Sequence, residues 1–363
     1  MKVAVLGAAG TIAPAIVRDL AESEEIDEVL LLDLRAEPAE RVAAEHGAGK
    51  ASVRRVDARE RLAAELEPAD VLLNSASYRL NLVAMEAALA AGCHYLDLGG
   101  LYRMTGEQLA LHPRFEEACL LALLGIGSSP GKTNLMAKRV LETLGGRVDR
   151  IDVFAAGRDL DPPPGFSVPY ALETLIDELT LAPVVLRDGR AVEIEPLADG
   201  GEADFGAPIG VAETIYTLHS ELRTFGESFG CRECSFRLSL SRDLLERLRQ
   251  LAGATEDEVR AAGRDALPPS PRTVSVHVVE AAAGERRARV RAVTEPHREW
   301  GLGGGIVSTA SPAAAAVRLL ARGRVAARGV LPPERCLEPA EVFAELEQRG
   351  CRFELSVAEG VAA

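Results

Sequence analysis

Residues 2–17, KVAVLGAAGTIAPAIV, decide the fold. KVAVL is an apolar run of strand length, and Gly7-Ala8-Ala9-Gly10-Thr11-Ile12-Ala13 turns it directly into a helix. A bound dinucleotide needs a tight turn, bare backbone under its pyrophosphate, and a small residue where helix meets strand. The phosphates then rest on the free N–H groups of the helix N-terminus. Gly7, Gly10 and Ala13 take those roles in a GxxGxxA variant of the GxGxxG spacing, with Ala9, Thr11 and Ile12 supplying the backbone between them. Asp33 ends the next apolar run, EVLLLD, at 33 − 13 = 20 residues past the motif. Its carboxylate suits the ribose hydroxyls and repels a 2′-phosphate, which favours NAD. Arg35 offers that phosphate a partner and keeps NADP open.

The rhythm repeats along the first third of the chain. ASVRRVDA (51–58), ADVLLNSA (69–76), CHYLDLG (93–99) and CLLALLGIG (119–127) read as strands. Helical patterns stand between them, near 37–47, 59–66, 80–91 and 105–118. Such alternation gives parallel βαβ units, a Rossmann-type doubly wound α/β sheet with helices on both faces. Ligands of such sheets bind beyond the strand ends. That makes Asn74, Ser75 and Gly99 cofactor candidates, and Tyr78, Asn81 and Asp97 candidates beside the nicotinamide.

Near residue 146 the pattern changes. RIDVFAAGR (150–158) is a strand, followed by the proline-rich loop DLDPPPGFSVPY and a helix near 170–180. A hairpin is expected around Asp188-Gly189. SFRLSLS, TVSVHVVEA and RRARVRAVT suggest a mixed or antiparallel sheet around one amphipathic helix at 242–264. STASPAAAAVRLLARG (308–323) reads as a helix with Pro312 in its first turn, and LEPAEVFAELEQRG (337–350) as another, closed by Gly350.

Composition removes several classes of function. Lys plus Arg number 41 against 55 Asp plus Glu, a net charge of −14 over 363 residues, which disfavours nucleic acid and anionic membranes. The first apolar segment lacks a charged leader, and no apolar run reaches the roughly 18 residues of a membrane span. A cytoplasmic location is expected. Of six cysteines, only Cys231 and Cys234 have a metal-like spacing, and no second pair joins them; no metal is expected. GSSPGKT (127–133) imitates a triphosphate loop, but G-x-x-x-x-G-K-[ST] needs a glycine at Ile126. Gly125 and Gly127 each miss by one residue.

The strand end running into SPGKTN (129–134) resembles the (D)PGxxN junction of the saccharopine dehydrogenase family. NSASYRLN (74–81), GCHYLDLGG (92–100), YTLHSELRTF (216–225) and TASPAAAAVRLLARG…GVLPPE (309–334) are similar to further family segments in the same order. The resemblance implies a split layout. Residues 1–133 completed by 306–363 would form the cofactor domain, and 134–305 an inserted mixed α/β domain for substrate and homodimer contacts. It also implies NAD(P)-dependent chemistry on a CH–NH group of an amino acid. Ser129 stands where saccharopine reductases carry Asp, and GFSVPYALETLIDELTLAPVVLRDGR (165–190) resembles the central segment of lysine 6-dehydrogenases. Both point toward lysine 6-dehydrogenase-like chemistry.

Hydride transfer to such a substrate requires a proton acceptor and a carboxylate clamp. His219 is the candidate base or shuttle, with a solvated turn histidine as the plain alternative. Glu221 is placed to orient His219 or to hold an ammonium group. Arg223 and Arg298 are candidate clamps, Ser129 and Asn81 candidate substrate contacts, and Pro130 a cofactor contact at the junction. Lys132 is read either as a contact to phosphate or substrate or as an exposed side chain. A second functional reading keeps the cofactor without turnover, as a module sensing the NAD(H) ratio.

Overall fold

The computed structural model of the protein describes residues 1–67 and 69–359. Two compact units emerge: Met1–Lys132 with Ile306–Leu346, and Thr133–Gly305 with the C-terminal residues from Glu347. The chain therefore passes between units within one peptide bond, Lys132–Thr133, at the start of helix Lys132–Thr143.

Six strands open the first unit: β1 (Lys2–Leu6), β2 (Glu28–Asp33), β3 (Ala51–Arg55), β4 (Val71–Asn74), β5 (His94–Asp97) and β6 (Leu121–Leu123). Eight belong to the second: β7 (Arg150–Asp159), β8 (Val184–Arg187), β9 (Arg190–Glu193), β10 (Asp199–Asp204), β11 (Val211–Tyr216), β12 (Glu233–Ser239), β13 (Thr273–Ala283) and β14 (Arg286–Thr294). The chain returns to the first unit for β15 (Gly329–Leu331) and ends in the second with β16 (Cys351–Glu359).

The first sheet is parallel throughout, in the order β15-β6-β5-β4-β1-β2-β3. Its central strands are apolar on both faces, as burial under two helix layers demands: Val3, Ala4, Val5, Leu31, Leu72 and Leu96 are all 1% exposed or less. From β1 the chain winds one way through β2 and β3, then crosses to β4 on the other side. Strand order thus reverses at β1 and β4, which opens a crevice at their carboxyl ends.

The second sheet runs β10-β11-β12-β7-β13-β14-β16, with the β8–β9 hairpin attached to β12. It is mixed because β12 and β7 are parallel while the remaining pairs are antiparallel. The hairpin forms where Asp188 (φ 51°) and Gly189 (φ 74°) both accept left-handed backbone.

Four expectations need correction. Residues 348–359 do not follow helix Pro339–Glu347 in the cofactor unit, because β16 pairs with β14 along its whole length (Thr294↔Cys351 to Arg286↔Glu359), and residues 360–363 lie outside the described residues. The single helix at 242–264 is two, Arg242–Leu251 and Glu256–Asp265. The second starts afresh where Thr255 and Glu258 exchange capping bonds. Pro312 lies inside helix Gly304–Ala321 rather than in its first turn. That helix is also long and apolar enough to cross a membrane by length and composition, but 83% of it is buried in the structure, as a core helix would be.

Candidate functional site

In the first unit, the glycine turn is shaped by close backbone approach. Gly7 sits at φ 85°, and a Cβ there would stand 2.5 Å from the Ala76 amide nitrogen. Only glycine lets the loop after β4 come this near. That loop is pinned by Ser75, whose amide (2.9 Å) and hydroxyl (2.8 Å) both donate to the Leu6 carbonyl. Helix Ala13–Ala21 begins beyond Gly10 with no side-chain cap and no acidic residue in its first turn, so its N-terminus is left for a phosphate. Gly7, Ala9, Gly10, Thr11, Ile12 and Ser75 therefore stand as one group at the switch point. This arrangement fits a dinucleotide.

Asp33 ends β2 and organises the same turn. Its Oδ2 accepts from the Ala9 amide (2.9 Å) and its Oδ1 from the Arg35 amide (2.9 Å). Arg35 reaches back to the Ala9 carbonyl (3.1 Å) while its side chain stays 65% exposed. A carboxylate and a solvent-facing guanidinium thus stand together where the adenosine ribose is expected.

Asp97 is not a cleft residue. It is 1% exposed, and five donors fill its carboxylate: the amides of Gly99 (2.9 Å) and Gly125 (2.7 Å), Tyr95 Oη (3.0 Å), Gln108 Nε2 (2.6 Å) and Asn81 Nδ2 (3.2 Å). Burial pushes its pKa up, against those hydrogen bonds. Asn81, also 1% exposed, accepts from Asn74 Nδ2 (2.9 Å), and Asn74 in turn accepts from the Ala76 amide (3.1 Å). The expected catalytic Asp97 and substrate-binding Asn81 are thereby corrected to an interior network. It holds the loops after β4, β5 and β6 in register, with a saturated carboxylate that has no lone pair to offer a ligand. Tyr78 is half-buried on the short turn Tyr78–Leu80, with the Arg79 guanidinium 5.0 Å from its ring centre.

The loop after β6 is closed on itself. The Gly125 amide goes to Asp97 Oδ1, the Ile126 amide to the Asp97 carbonyl (2.7 Å), and the Gly127 amide to the Pro130 carbonyl (2.9 Å). The Lys132 amide returns to the Gly127 carbonyl (2.9 Å). These N–H groups are spent, so the loop has no cradle for phosphates. Lys132 is neither exposed nor set for phosphate: it is 1% exposed and donates to Ser308 Oγ at 2.6 Å. Ser129 and Pro130 lie in this ring, the first half-buried and the second buried.

The second unit holds an ionic cluster around His219. The imidazole is buried, stacked on Phe236 with ring centres 3.6 Å apart. Its Nδ1 is 3.3 Å from Glu221 Oε2 and its Nε2 is 3.8 Å from Glu178 Oε2. Thr133 Oγ1 donates to the other Glu221 oxygen (2.8 Å), and Tyr170 Oη donates to Glu178 Oε2 (2.5 Å). Burial alone would lower the histidine pKa, but Glu221 and then Glu178 outweigh it and raise it to about 9. His219 is therefore an imidazolium at neutral pH, a proton donor rather than the ready base expected from its ordinary value. Neither it nor Glu221, which is 1% exposed, is a surface residue. Two buried hydroxyls flank the ring in sequence, Thr217 Oγ1 and Ser220 Oγ, and neither has a hydrogen-bond partner.

Sequence reading missed Glu178, Tyr170 and Thr133. The signal for Glu178 was present: helix Leu172–Thr180 buries Leu172, Leu175, Ile176 and Leu179, and a carboxylate on that face needs a buried partner. The two proposed clamps are exposed, Arg223 on helix Glu221–Phe229 and Arg298 in the loop after β14.

Residues 3–123 match the saccharopine dehydrogenase NADP binding domain. Carboxyaminopropylagmatine dehydrogenase of Synechocystis sp. is 26% identical over 282 residues, 74% of this chain and 70% of that protein. Apo saccharopine dehydrogenase (L-Glu forming) from Saccharomyces cerevisiae has the same fold, with a TM-score of 0.72 at 14% identity over 98% of this chain and 99% of the other. The resemblance seen in the sequence and the fold class are borne out. Over residues 3–123 the first unit is thus similar to the NADP binding domain of saccharopine dehydrogenase.

Proposed function

We propose, from the match of residues 3–123 to the saccharopine dehydrogenase NADP binding domain, that the protein is an NAD(P)-dependent oxidoreductase acting on a CH–NH group of an amino-acid-derived substrate. The observation that carries this reading is the buried His219 held between two carboxylates, in the unit joined to the dinucleotide domain at Thr133. Carboxyaminopropylagmatine dehydrogenase supports the substrate class, since its name is that of a dehydrogenase acting on an agmatine that bears a carboxyaminopropyl group.

Bound nicotinamide supplies the hydride acceptor or donor. The chain's own residues would hold it: the turn at Gly7–Ala13 would take the pyrophosphate, and Asp33 with Arg35 would meet the ribose. Arg35 is the residue that admits a 2′-phosphate, and Asp33 the one that favours NAD. His219 manages the proton. In the reductive direction, the imidazolium delivers it to the amine nitrogen as the iminium carbon is reduced. In the oxidative direction, the neutral ring takes a proton from the substrate ammonium, whose amine then loses hydride to give the iminium, and only above about pH 9 is that form of the ring the major one. Glu221 holds the ring at Nδ1, and Glu178, 3.8 Å from Nε2, stabilises its charge without closing that nitrogen to substrate. The protein is further proposed to act as a cytoplasmic homodimer.

The test is nicotinamide absorbance with L-lysine, saccharopine and carboxyaminopropylagmatine, using NAD and NADP in turn. Turnover of at least one, strongly reduced in His219→Gln, is the expected result. Tight NADH binding with no turnover of any would instead favour the sensing module.

A further inference from the structure

Arg158, next to last in β7, is a half-buried cation with no counter-charge among the described residues. Its Nη1 donates to the carbonyls of Gly157 (2.7 Å) and Ser239 (3.1 Å), and its Nη2 to Ser239 Oγ (2.8 Å). All three acceptors are neutral. Of the other buried or half-buried arginines among the described residues, five meet a carboxylate, while Arg349 donates to Gln348 Oε1 (3.0 Å). Arg18 meets Glu22, Arg237 meets Asp152, Arg289 meets Glu280, Arg291 meets Glu354, and Arg318 meets Asp19 and Glu345. The carboxylate next in sequence, Asp159, is committed to the amides of Asp161 and Ser270 and to the Ser270 hydroxyl. Burial lowers the Arg158 pKa, and no acidic neighbour counters it.

A guanidinium has five N–H donors in a rigid fork. Three bonds are made here, all through the terminal nitrogens, so Nε–H and the second Nη2–H are left over. That pair matches the two oxygens of a carboxylate. The strand end has a second property. Arg158 is paired with Val274 and Asp159 with Thr273, and Thr273 Oγ1 accepts from the Gly305 amide (3.2 Å), where the chain leaves this unit. The chain enters the unit at Thr133, which bonds Glu221 of the histidine cluster.

We propose that Arg158 is the anchor for a substrate carboxylate, gripped through Nε and Nη2, with Ser239 setting the guanidinium plane. This rests on the reading of the protein as acting on amino-acid-derived substrates. It replaces the exposed Arg223 and Arg298 as the clamp, because an arginine already fixed on one side loses less freedom on binding.

The experiment is calorimetry on the NADH-loaded full chain with two probe pairs that differ only by a carboxyl group, L-lysine against cadaverine and L-arginine against agmatine. Wild type is expected to bind at least one acid about 10- to 100-fold tighter than its amine, the range of charge-assisted hydrogen bonds. In Arg158→Gln that ratio should fall to within about threefold, with NADH affinity unchanged. Ser239→Ala should reduce the ratio less, and it serves if Arg158→Gln does not fold. A ratio that persists in both variants, or is absent from wild type, overturns the proposal. Acid-selective binding without turnover would count against the oxidoreductase reading alone.

Discussion

The charge state of His219 can be tested by removing one atom's worth of negative charge. Glu221→Gln keeps the volume and still accepts from Thr133, but it deletes the strongest influence raising the histidine pKa. Burial then dominates, and the ring should titrate near or below its ordinary 6.5 instead of about 9. The wild-type shift of some two and a half units, from 6.5 to about 9, corresponds to an upper limit of about 3 kcal/mol at 1.36 kcal/mol per unit. The sign follows from linkage. A raised folded pKa means the folded state holds a proton that the unfolded state releases, so the contribution is whole below pH 6.5 and is lost as pH rises through 9. Wild type should therefore lose up to about 3 kcal/mol relative to Glu221→Gln across that window, measured by urea unfolding at matched pH. Nitrogen-edited NMR of the ring reads the pKa directly, and with six histidines in the chain a His219→Gln spectrum assigns it. A wild-type His219 titrating near 6.5, or a Glu221→Gln profile identical to wild type, would refute the reasoning.

Three further outcomes are expected. Gly7→Ala places a Cβ 2.5 Å from the Ala76 nitrogen at φ 85°, so NADH affinity by fluorescence should fall at least about tenfold, the equivalent of the 1–2 kcal/mol left-handed penalty; unchanged affinity would mean the loops can part freely. Arg35→Ala should weaken NADPH about tenfold and NADH by less than about twofold in the same assay. Equal effects on both would show that the guanidinium does not read the 2′-phosphate. Asp97→Asn turns an acceptor filled by five donors into a partial donor and should cost about 2–3 kcal/mol in chemical unfolding. A stable but inactive Asp97→Asn protein would restore Asp97 to catalysis.

Six strands of the first sheet, β1 to β6, were legible because each is announced locally by a strand-length run and a following helix, whereas the three-residue β15 was not. The Asp188-Gly189 hairpin was legible for the same reason. β10 and β11 were not, because DGGEAD has poor strand propensity and its pairing slips at Asp199/Gly201. β16 was missed although Arg352, Glu354 and Ser356 alternate with Phe353, Leu355 and Val357; its partner β14 lies far back in the sequence. In the candidate site, the glycine turn and the pair His219 and Glu221 were visible as motifs. Asp97 and Asn81 were misplaced because a strand-end position cannot tell a residue facing outward from one turned into a network. Glu178 was legible as a carboxylate on an apolar helix face, whereas Tyr170, Thr133 and Arg158 depend on pairings that no spacing encodes.

The ordering of β15 and β16 bears on how the protein is made. The cofactor sheet gains its outer strand β15 at Gly329–Leu331, and the second sheet its outer strand β16 at Cys351–Glu359. Synthesis proceeds from the N-terminus, yet the first unit is not whole until Gly329–Leu331 is made, nor the second until Cys351–Glu359 is made. The usual economy of finishing one domain before starting the next is closed to this chain. A nascent protein exposes β6 and β14 as open edges at the same moment, and the closing strands arrive within about twenty residues of each other. Truncations near the C-terminus should therefore register first as aggregation during expression, before any loss of cofactor binding is measurable.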